Sequence, residues 1–65
     1  MSLYDYQASL DIRSRGYPFY GILMAAIRGA DTDNLEKLKA MWPEVVEEFQ
    51  ARYNAPGGLL PGEKP

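Results

Sequence analysis

Two groups of side chains have residue types that could do chemistry. Glu47 and Glu48 are neighbouring carboxylates, and Asp31, Asp33, Asn34 and Glu36 gather oxygen ligands in one short stretch. Paired carboxylates perform acid–base work when both reach one substrate. Neighbouring residues of a helix point in different directions, so Glu47 and Glu48 read as a solvated face. The second group has the oxygen atoms a calcium ion prefers. A calcium loop of the EF-hand type also needs a central glycine and a distant bidentate Glu, and this stretch lacks the glycine and the length. Asp and Asn at such positions cap helices, which explains the same residues without a metal. The chain has no His and no Cys. It therefore lacks the commonest general base and the usual zinc ligands. No nucleophile–base pairing is visible among the remaining Asp, Glu, Ser, Lys and Tyr residues. The sequence predicts a protein that is not an enzyme and uses no cofactor or metal.

The aromatic residues offer a different chemistry. Tyr4, Tyr6, Tyr17, Phe19 and Tyr20 all fall in the first third of the chain. A Tyr ring can be buried against a partner while its hydroxyl stays wet, and Tyr is enriched at interfaces. Five aromatic rings are hard to bury in 65 residues. Tyr4, Tyr6, Tyr17 and Tyr20 are accordingly the candidate partner-binding residues, with core filling as the alternative. Trp42 continues an apolar stripe and reads as core.

A helix-turn-helix is the competing motif. Ala25, Gly29, Leu35 and Leu38 fall at its small-residue, turn and core positions. Arg28, Lys37 and Lys39 would then contact phosphates. Electrostatics oppose this reading. The start of the would-be recognition helix carries Asp31, Asp33 and Glu36, and phosphate contacts supply much of the affinity for nucleic acid. The whole chain has a net charge of −2, which gives no general attraction to nucleic acid or anionic membranes. Nucleic acid is thus disfavoured as a partner, and a protein or a second copy of the chain is favoured.

These residues must be positioned by helices. Ser2 and Asp5 resemble a capping box that opens a first helix over Leu3 to about Arg15, with Leu3, Tyr6, Leu10 and Ile12 as its apolar side. Arg13 and Arg15 suit its last turn, and Gly16 closes it. Pro18, read as the first helical position, opens a second helix through Arg28 that Gly29 ends. That helix is apolar nearly all round, which predicts the buried centre of the domain. Asp33 and Glu36 have capping-box spacing and mark the start of a third helix. Its Leu35, Leu38, Met41 and Trp42 form one buried stripe. Pro43 cannot sit inside a helix without cost, so a fourth helix is expected from Pro43 to Tyr53, with a single kinked helix as the alternative. Val45, Val46, Phe49 and Tyr53 should face inward, and Glu44, Glu47, Glu48 and Arg52 outward. Asn54 is suited to a left-handed cap.

The result is an all-α fold. Residues 1–54 form a compact bundle of three to four short helices, with the second helix at the centre. Residues 55–65 form a flexible Pro/Gly-rich tail that hangs free or folds back, in which case Leu59 and Leu60 tuck onto the body. The longest apolar run, Ile22 to Ile27, is far short of a membrane span, which needs about 20 residues. Met1 is followed by Ser2, Leu3, Tyr4 and Asp5, with neither a basic start nor a signal-like apolar core, so a cytoplasmic protein is expected.

Several segments together resemble a known group. They are Tyr17-Pro18-Phe19-Tyr20, Met24 to Arg28, Ala30 to Leu35, Trp42-Pro43-Glu44-Val45 and Gln50 to Gly58. They are similar to small proteins encoded by bacteriophages and prophages of actinobacteria. The resemblance covers nearly the whole chain and brings no activity or functional residues with it. It implies a bacterial host cytoplasm and a small accessory protein that binds a host or phage protein.

Overall fold

The computed structural model describes residues Met1–Pro65. Four helices follow one another: α1 (Leu3–Ser14), α2 (Phe19–Gly29), α3 (Thr32–Met41) and α4 (Pro43–Asn54). A single 3₁₀ turn, Pro56–Gly58, follows α4. The chain is 74% helical and has no strands.

The helix ends follow local chemistry. Ser2 Oγ accepts the Asp5 backbone N–H at the start of α1. Gly16, at φ 71°, makes the left-handed turn after it, where a side chain would be strained. Pro18 caps α2 from outside, with extended backbone, and is not its first helical residue. At α3 the cap is Asp31, whose Oδ1 accepts the Asn34 N–H at 2.8 Å. The helix therefore starts ahead of the Asp33–Glu36 pair that the sequence favoured. Asp31 prevails because extended backbone precedes it and its carboxylate reaches the third residue on. Trp42 (φ −135°, ψ 63°) breaks α3 from α4, and Pro43 begins α4. The two are separate helices. Asn54 remains helical, its side chain donating to Gln50 O, and Ala55 caps α4 in extended conformation.

The core consists of Leu23 and Ile27 from α2 with Val45 and Val46 from α4, and Val46 is only 1% exposed. Met24, Leu35, Leu38 and Phe49 pack around these four. The packed pairs are α3 on α4, α2 on α4 and the 3₁₀ turn on α4. Thus α4, not α2, is the hub. Helix α2 is apolar all round, yet it buries only the side that bears Leu23 and Ile27. Met41 and Tyr53, expected inside, lie exposed. Met41 ends α3 at the corner, beyond the reach of the core, and Tyr53 lies past the last core turn of α4.

The tail takes the second of the two courses expected of it. It folds back, with Leu59 and Leu60 half-buried. Arg52, expected in water, is the clamp. Its Nε bonds Glu48 at 3.0 Å and its terminal nitrogens bond both oxygens of Glu63 at 2.7 and 2.8 Å. It also donates to Gly58 O at 2.9 Å.

Helix α1 takes no part in this core and buries no residue. The molecule measures 42 × 27 × 16 Å with a radius of gyration of 13.6 Å. A compact chain of 65 residues would have a radius near 11 Å. No helix is long and apolar enough to cross a membrane.

Candidate functional site

Much of the uncovered apolar surface lies on α1 and on the outer side of α2, while Phe19, Tyr20, Met41 and Tyr53 are exposed elsewhere. Side chains three and four residues apart share a helix face. On α1 this rule yields two stripes on opposite sides, Leu3–Tyr6–Leu10 and Tyr4–Ala8–Ile12. Leu3, Tyr6 and Leu10 are 70%, 63% and 54% exposed. The second stripe is covered only near its end, where Ile12 is 38% exposed and Ala8 is half-buried.

Beside that end runs a groove of about 500 Å³, lined by Ile12, Tyr17, Gly21, Ile22, Ala25 and Ala26. None of these side chains is charged. Its floor is low because Gly21, Ala25 and Ala26 have little or no side chain. Gly29 continues the same side of α2, and a methyl group placed there would meet nothing within 4 Å. The four residues between α1 and α2 set the groove, through the Gly16 turn and the fixed φ of Pro18.

The four candidate tyrosines do not form one patch. Tyr4 and Tyr6 lie on opposite sides of α1, and Tyr17 lines the groove. Tyr20 lies on the other side of α2, beside Met24, Glu44, Val45 and Glu48. Its ring meets Phe19 edge-on at 5.3 Å, and Phe19 meets Trp42 at 6.0 Å. These contacts leave Trp42 at the rim of the core and 36% exposed. The groove residues Ile22, Ala25 and Ala26 were not candidates in the sequence. The signal for them was present: α2 is apolar on more sides than three short neighbours can cover.

The charged groups are arranged otherwise. The Arg28 guanidinium lies over the Phe49 and Tyr53 rings, at 5.2 and 5.7 Å, a cation–π arrangement. Arg28 is thereby held against α4, while Lys37 and Lys39 lie two positions apart on α3 and so face different ways. The three proposed phosphate contacts do not share a surface. No cluster of three or more His, Cys, Asp or Glu residues that could hold a metal ion is present. Glu48 is engaged by Arg52. The Glu63 carboxyl is lowered to about 2, chiefly by the Arg52 hydrogen bonds and then by the Leu60 N–H. Arg52 is shifted further up, first by Glu63 and then by Glu48. Both explain how the tail is held, and neither points into the groove.

Set against protein-family models, curated proteins and solved structures, the chain matches none of them.

Proposed function

We propose that the chain is a non-catalytic protein-binding module whose contact surface is α1 together with the outer side of α2. One observation carries the reading: a twelve-residue helix with no fully buried residue stands beside an uncharged apolar groove. Isolated helices shorter than about 12–15 residues are marginal in water, and most helices in proteins owe their stability to tertiary packing. Contiguous apolar surface of this kind marks interaction sites. Tyr6 and Tyr17 belong to the contact surface, and Tyr4 borders it. Tyr20 lies apart and contributes to the α2–α4 side. The resemblance to actinobacterial phage proteins supports an accessory role in a bacterial cytoplasm, acting through a phage or host protein.

Photo-crosslinking tests this reading. A crosslinking side chain is placed at position 6, 22 or 47 of the tagged chain, which is then incubated in nuclease-treated actinobacterial lysate. Positions 6 and 22 should crosslink to protein, and position 47, on the solvated side of α4, should not. Equal crosslinking at all three positions, or none at any, contradicts the proposal.

A further inference from the structure

We propose that the occupant of this surface is a second copy of the chain. The Leu3–Tyr6–Leu10 stripe of each α1 seats in the Ile12–Tyr17–Ile22–Ala25 groove of its partner. The inference rests on the binding-surface reading above and names its partner.

A compact monomer of 7.3 kDa exposes about 4,200 Å². This chain exposes 5594 Å², an excess of about 1,400 Å² over that scaling. Covering the whole of that excess in two copies would bury about 2,800 Å², so the chain has more surface to spare than the roughly 1,200–2,000 Å² that a stable interface needs.

The two stripes of α1 also call for a second copy. A helix that is apolar on one side needs one neighbour, and a helix that is apolar on two opposite sides needs two. The chain supplies α1 with one, because Ile12 meets the α2 groove while Leu3, Tyr6 and Leu10 stay more than half exposed. A partner's groove supplies the other. Each α1 then lies between its own α2 and the partner's α2.

The two surfaces are self-complementary. In a two-fold dimer, residue i meets residue j and j meets i. Stripe and groove are a convex and a concave apolar surface carried by the same chain, so one contact made twice closes the assembly. Along α1 the outward stripe is flanked by Gln7, Ser9, Arg13 and Ser14, so no carboxylate is brought against its own copy. The low floor at Gly21, Ala25 and Ala26 admits the Leu and Tyr side chains closely.

The test is sedimentation of the full chain from low micromolar to near-millimolar concentration, with helical content followed in parallel. The expected mass rises to twice 7.3 kDa. Leu10→Glu and Ala25→Lys should each raise the dissociation constant by about a hundredfold, because each sets an unpaired charge in an apolar contact. Both should keep the melting transition of the α2–α4 core. Mixed together, Leu10→Glu and Ala25→Lys chains should recover a dimer, since one contact regains opposite charges and the other is unaltered. A wild-type chain that stays monomeric throughout overturns the inference. So does a dimer that neither substitution weakens, or a mixture that fails to recover. Crosslinking from positions 6 and 22 to a different protein by a monomeric chain would overturn the dimer alone. Monomeric behaviour with no crosslinks would overturn the binding-surface reading as well.

Discussion

Helices α1 and α4 have the same length, twelve residues each, and opposite fates. The first carries Leu3, Tyr4, Tyr6, Ala8, Leu10 and Ile12, and buries none of them. The second carries Val45, Val46, Phe49, Ala51 and Tyr53, and supplies half of the four-residue core. The amount of apolar side chain does not separate them. Its arrangement does. Val45, Val46 and Phe49 converge on one side of α4, so one set of neighbours covers them. In α1 the apolar residues divide between two opposite sides, and the chain has a neighbour for part of only one. A core forms where apolar positions converge. Where they diverge, the helix is left to find its second neighbour outside the chain.

Substitutions that test this contrast span a wide range of effects. Val46→Asp should abolish the cooperative thermal transition measured by circular dichroism, because an unpaired carboxylate at a 1% exposed site is costlier than the domain can absorb. Next in size, Ile27→Ala should cost about 2–4 kcal/mol in urea unfolding, the usual loss for a buried large-to-small change. Leu10→Ala removes similar chemistry from α1 and should cost less than about 0.5 kcal/mol in dilute solution, as for an exposed site. Equal losses for the two would erase the distinction between the helices. Asp31→Ala should cost about 1 kcal/mol through loss of the α3 cap, and Asp31→Asn should recover most of it. An unaffected midpoint would move the cap elsewhere.

The smallest effect concerns the tail. Glu63 is held down to about 2 from its ordinary 4.5. A carboxyl lowered by folding stabilises the folded state above its unfolded value and loses that contribution as pH falls through its folded value. Tail protection, read from exchange of the Leu60 N–H that Glu63 accepts, should therefore be complete above pH 4.5 and fade as pH approaches about 2. Glu63→Gln should flatten this dependence while leaving the α2–α4 transition in place.

Much of the fold was legible in the sequence because its signals are local. Ser2, Gly16 and Pro43 each act on the backbone within a few residues, and they place α1, its end and the α3–α4 corner correctly. Asp31 and Asp33 both have capping chemistry, and only the backbone shape ahead of each decides between them. What stayed hidden depends on contacts between distant residues. The apolar ring of α2 predicts burial on every side, but three short helices and a tail cover only one. Arg52 has a visible partner in Glu48 at helical spacing, whereas Glu63 becomes its partner only once the glycines at 57, 58 and 62, all at positive φ, turn the chain back. The tyrosines were singled out by residue type. Their division among α1, the groove and the α2–α4 side follows from helix phase combined with the docking of α2 on α4, and the second of these is not written in spacing.

The most direct test of the central claim, that α1 is a contact element and not part of the monomer core, is amide hydrogen exchange at two protein concentrations. In dilute solution the amides of Leu10, Asp11 and Ile12 should exchange far faster than those of Ile27, Val46 and Phe49, and they should become protected as concentration rises. Protection of α1 equal to that of α4 in the dilute sample would contradict that claim, and α1 amides that stay unprotected at both concentrations would contradict the dimer.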